Sequence, residues 1–164
     1  MYYRFGKAFY FLSILFFVFF LLYFYSALPE QISLSRNDSG QLFDEMSRGA
    51  FFYGMIAIFV FVNAVVLLPP KLLETKNHRG LVRIFPVGDK FRDYYLAWFY
   101  SFGGIMNSSL ALLVFYTHAL NNMDEKNPHV YDFLFYIIPT LFVIWIIALF
   151  AIMVGKFKQV QKKS

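Results

Sequence analysis

Cysteine is absent from the 164 residues, which closes off disulfides, thiolate metal sites, iron–sulfur ligation and any thiol nucleophile. Charge is scarce as well. Asp, Glu, Lys and Arg make up 15% of the chain, against roughly 25% in ordinary soluble domains. Phosphate-loop, dinucleotide-fingerprint, H-E-x-x-H and G-x-S-x-G patterns are all missing. With so few polar residues left over, these absences point to a chain that is not an enzyme and carries no cofactor.

What fills the sequence instead is apolar: 59% hydrophobic and 23% aromatic residues. Four stretches, 8–29, 49–70, 94–123 and 133–155, contain no Asp, Glu, Lys or Arg. Each exceeds the roughly 18 residues needed to cross a hydrocarbon core of about 30 Å. The expectation is an all-α integral membrane protein, a four-helix up-down-up-down bundle forming one membrane domain over 1–164. Its spans are placed at about 8–28, 49–69, 94–120 and 133–155. The loops between them are 29–48 and 121–132 on one side and 71–93 on the other. The first apolar run exceeds the 7 to 15 residues of a signal-peptide core and lacks a small-residue cleavage site, so it reads as a retained anchor.

Basic residues fix the expected orientation, because they resist translocation whereas acidic ones matter little. Twelve of the fifteen fall on one face: Arg4 and Lys7, six in the 71–93 loop, and four after Gly155. Only Arg36, Arg48 and Lys126 fall on the other. Both termini are therefore expected in the cytoplasm, with a bacterial cytoplasmic membrane as the expected location. The net charge of +5 is thereby assigned to a membrane surface and not to nucleic acid.

Polar residues at depth are few: Asn63 in the second span, Ser101, Asn107 and Ser108 in the third, Thr140 in the fourth. Counting 1.5 Å per residue sets Asn63 level with Ser101 and Asn107 level with Thr140, so those pairs are expected to hydrogen-bond between helices. Ser101, Gly104, Asn107, Ser108 and Ala111 share one helical face, and Ala50, Gly54, Ala57 and Ala64 share another. Packing is expected through these small faces of the second and third spans. The phenylalanine-rich first span, without such a face, is expected to meet lipid or a partner. Pro69-Pro70 are expected to end the second span and Pro139 to kink the fourth. Trp145, at mid-depth, needs a partner for its indole N–H.

Two polar segments remain. His118 and His129, with Asp124 or Asp132, have the donor types of a metal site, but interfacial histidines without a ligand are commoner and no metal is assigned. The basic 71–93 loop interleaves apolar residues with Arg79, Arg83, Lys90 and Arg92, a pattern that suits anionic lipid or a docking partner at the cytoplasmic face. A lipid-modifying enzyme using His78 and Asp89 is a minor alternative. Asn37-Asp38-Ser39 is a formal glycosylation sequon. Taken together, the pattern leads to an accessory or structural subunit of a larger membrane complex, with other integral membrane subunits as partners. The alternative is a small transporter or channel for a neutral or lipid-like substrate, walled by Asn63, Ser101 and Asn107.

Overall fold

The computed structural model describes residues 2–36, 42–75, 79–122, 131 and 133–162. Helices dominate it. In chain order they are α1 (Tyr2–Ala27), α2 (Arg48–Glu74), the short α3 (Arg79–Ile84), α4 (Lys90–Asn122) and α5 (Leu134–Gln161). All but α3 are long and apolar enough to cross a membrane. At 1.5 Å per residue, even the 26-residue α1 reaches about 39 Å.

Between α1 and α2 lies an element that an all-α reading does not contain. β1 (Gln31–Arg36) and β2 (Leu42–Ser47) pair antiparallel, Gln31 opposite Ser47 and Arg36 opposite Leu42. The signal is local. β1 alternates polar and apolar residues, and an Asn-Asp-Ser-Gly sequence with the composition of a turn separates the strands. Asp44 sits at a φ of 57°, a left-handed conformation that Asp tolerates better than most residues. The hairpin ends in a cap: Ser47 Oγ accepts from the backbone N–H of Ala50, 3.2 Å away, and starts α2.

α4 is the axis of the fold. It is the least apolar of the four long helices and the most buried, because α1, α2 and α5 all pack on it. α1 lies alongside α4 in the same direction: Gly6 meets Ala97, Ser13 meets Asn107 and Phe24 meets Phe115. This revises the expectation that the core is a pairing of small faces on α2 and α4: α1 packs on α4 with one face, while Phe5, Phe11 and Phe19 on its other side stay exposed. The α1 and α4 backbones approach because Gly6 has no Cβ; one built there would stand 2.9 Å from the Ala97 carbonyl oxygen. On α4 the two glycines accept rings. A Cβ at Gly104 would collide with Phe9, and one at Gly103 would stand 3.0 Å from the Tyr10 ring. Ala50, Ala57 and Ala64 of α2 are instead exposed, and a Cβ at Gly54 would meet nothing within 4 Å.

Nor do the prolines end α2. The helix runs through Pro69 and Pro70 to Glu74, held by what its last turn reaches. Leu73 joins Phe85 and Leu96 in a buried cluster, and Glu74 pairs with Lys7 of α1 at 2.6 Å. A larger apolar cluster at the hairpin end unites Phe17, Leu21, Ile32, Phe51, Met55 and Val114. α5 is likewise continuous through Pro139 and the least covered helix, with only Leu134 and Lys156 buried.

Candidate functional site

The polar residues at mid-helix converge on α4. Tyr10 donates its hydroxyl to Asn63 Oδ1 at 2.6 Å, and Asn63 Nδ2 donates to Asn107 Oδ1 at 2.8 Å. Asn107 Nδ2 returns a bond to Asn63 Oδ1 and gives another to Ser13 Oγ, each at 3.2 Å. The circuit closes locally, as Ser13 donates to the Tyr10 carbonyl and Asn63 to the Phe59 carbonyl, each at 2.7 Å. Asn107 is fully buried. A buried amide needs partners for its two donors and its acceptor oxygen, and here α1 and α2 supply them, through Ser13 and Asn63.

Asn63 thus pairs with Asn107 and not with Ser101. The rise counted from Pro70 misjudges depth, because α2 continues to Glu74, which reaches Tyr100, and Val66 lies beside Gly103. Asn63, nearly one turn further along α2, thereby comes level with Asn107 and Ser13. Ser101 belongs to a second circuit, between α4 and α5. Trp145 Nε1 donates to Ser101 Oγ at 3.0 Å, Ser101 donates to the Trp98 carbonyl at 3.0 Å, and Trp98 Nε1 donates to the Trp145 carbonyl at 2.7 Å. Trp145 finds its partner there. Thr140 does not reach α4; its hydroxyl donates to Tyr136 one turn back on the exposed side of α5. Ser108 lines a groove along the α1–α4 seam with Ser13, Phe9 and Phe16, and forms no hydrogen bond across it among the described residues.

Two charged clusters close the end of the molecule that carries α3. In the first, Glu74 accepts from Lys7 and from the Tyr100 hydroxyl at 3.1 Å, tying α1, α2 and α4. In the second, Lys156 of α5 donates to Asp89 and, at 2.9 Å, to Gln159, with the Phe85 and Phe91 rings over its ammonium. Asp89 also accepts from the Phe91 N–H at 3.0 Å, starting α4. Burial raises the Asp89 carboxyl, but hydrogen bonds from Lys156 and Phe91 together with the Lys156 charge outweigh it and hold the group below its ordinary value. Both side chains are more than nine-tenths buried. Asp89 is therefore engaged in a lock and is not free for chemistry.

The basic loop residues separate into different roles. Arg83 and Lys90 are exposed, whereas Arg92 turns onto α2 and donates to the Leu73 carbonyl at 3.2 Å. Arg79 begins α3, and its side chain lies outside the described residues, as do His78, the sequon at Asn37, and His129, Asp124 and Asp132. Among the described residues no group of three or more His, Asp or Glu side chains is placed to hold a metal; His118 contacts Asn122 and rests on Phe24.

No known protein family, curated protein or solved structure matches the chain. The contacts alone must carry the functional reading. Sequence reasoning missed Tyr10 and Ser13, whose spacing of three residues on α1 is unremarkable without knowledge of which helix they face. It also missed Asn121, whose amide clamps the hairpin: Oδ1 accepts from Ser33 N–H and Nδ2 donates to Ser33 C=O, both at 2.9 Å.

Proposed function

We propose that the chain is an integral membrane protein crossing the bilayer four times, up-down-up-down, with both termini and the 71–93 loop cytoplasmic. Within that frame it acts as a non-catalytic accessory subunit of a larger membrane complex. A cytoplasmic membrane such as the bacterial inner membrane suits the bias of basic residues to one face.

The observation that carries this reading is the closure of the interior polar network. Asn63 uses both amide donors and receives two bonds on its oxygen, from Tyr10, Asn107 and its own helix. Nothing on it is left for a substrate. A transporter for a neutral solute would need those groups turned toward a path, and here they bond helix to helix. The chain's polar side chains are used to assemble it, which is the economy of a packing subunit.

The partner surface is the exposed alanine face of α2, where Ala50, Ala57 and Ala64 leave room for another helix backbone. Photocrosslinkers placed at Ala57 in native membranes, and at Ile147 on exposed α5 for comparison, test this. A discrete protein adduct from position 57 and only lipid adducts from 147 are expected. Lipid adducts alone from position 57 would overturn the assignment.

A further inference from the structure

We propose that the recess between the 86–89 turn and the last turns of α5 binds the phosphate of an anionic phospholipid headgroup. The site rests on the membrane topology proposed above, which places it at the cytoplasmic leaflet. Two adjoining cavities, about 440 and 460 Å³, share Pro86, Asp89 and Gln159. Arg83 and Lys156 line the first, and Lys90 lines the second.

Charge and depth select the ligand. Asp89 is the one carboxylate among the lining residues, and it is consumed by Lys156, Gln159 and the Phe91 N–H. Arg83 and Lys90 remain exposed, and neither is ion-paired among the described residues. The recess therefore presents two cations over a neutralised, buried floor. Its walls are apolar: Ile84 and Val160, each 52% exposed, stand in it, with Phe157 outside at 64%. A soluble phosphate would gain nothing from those side chains. A phospholipid gains from both, its phosphate against the cations and its first methylenes against Ile84 and Val160.

Arg92 is no part of the site. It is spent on the Leu73 carbonyl.

The test is native mass spectrometry of the full chain in a neutral detergent, titrated with phosphatidylglycerol and with phosphatidylcholine of the same chains. One phosphatidylglycerol is expected to be retained at least about tenfold more tightly than phosphatidylcholine. At about fivefold per basic residue, Arg83→Gln with Lys90→Gln should weaken it roughly 30-fold. Lys158→Gln with Lys162→Gln, exposed charges at the same end, should change it less than about twofold. Should the first pair lower thermal stability, Lys90→Gln alone must still show its share. Equal retention of the two lipids, equal loss in both pairs of variants, or displacement by millimolar inorganic phosphate would overturn the proposal. Topology is read separately, by labelling Lys162→Cys in intact and broken cells of this cysteine-free chain. Labelling from outside would overturn the orientation while leaving the micelle result to stand or fall by itself.

Discussion

Asn63 and Asn107 exchange their side-chain amides across the α2–α4 interface, at 2.8 Å in one direction and 3.2 Å in the other. The pair sits where an unpartnered amide has no water to turn to, so each residue makes the other tolerable.

Asn107→Leu should therefore lower the stability of the chain in detergent by about 1–2 kcal/mol, a loss driven by the orphaned Asn63 amide as much as by the lost bonds. Asn63→Leu with Asn107→Leu should cost less than the sum of the single changes. A double-mutant cycle on thermal or steric-trap unfolding reads the coupling, and strict additivity would show that the two amides act independently.

Gly6 and Gly54 make an internal comparison. Gly6→Val forces a Cβ against the Ala97 carbonyl, which backbone movement alone can relieve, and should destabilise the α1–α4 pair by about 1–3 kcal/mol. Gly54→Val meets open space and should leave the isolated protein's stability within about 0.5 kcal/mol. Thermal melts of the two variants side by side distinguish a real α1–α4 interface from loose adjacency.

The Asp89–Lys156 lock gives a pH signature whose sign is fixed. Asp89 is held below its ordinary value of 3.8, so the folded state prefers the carboxylate. The stabilisation is complete above that ordinary value and is lost as pH falls through it toward the depressed one. The melting difference between the natural chain and Asp89→Asn should be constant from pH 7 to about 5 and shrink below about pH 4. A difference that grew on acidification would contradict the ion pair.

Asn121 holds the hairpin by a two-bond clamp on Ser33. In Asn121→Ala both backbone groups lose their partner, and protease sensitivity and amide exchange over 31–47 should rise while the long helices keep their protection. Unchanged protection of the hairpin would mean that Ile32, fully buried in the apolar cluster, anchors it without help.

Much of this was legible in the residues, and the rest was hidden for physical reasons. The four long helices fall where charge is excluded, but each runs four to six residues past its charge-free stretch at one end, α1 from Tyr2, α2 to Glu74, α4 from Lys90 and α5 to Gln161. The polar residues at depth announce themselves because lipid makes them costly. Partner choice is different. Asn63 meets Asn107 because α2 runs on past Pro70 to Glu74, which sets Asn63 further from that end than a count of about 1.5 Å per residue from the prolines gives. Ser101 meets Trp145 because of neighbour order, which that rise does not encode. α1 hides its packing role in a single glycine at its start and in rings that settle onto glycines of α4. Pro69 and Pro70 read as a stop, yet the contacts of Leu73 and Glu74 carry the helix past them. The hairpin was visible in the alternation of β1, and a membrane-span reading passes over it as a loop.

The central claim, a packing subunit that lends its α2 face to another membrane protein, is tested most directly by the size of the native particle. In polymer-excised membrane discs, the 19.3 kDa chain should migrate within a larger assembly. Ala57→Phe with Ala64→Phe should release it as a monomer whose own melting temperature is unchanged. A natural chain that already runs as a lone monomer, or a double variant that stays in the assembly, would contradict the account.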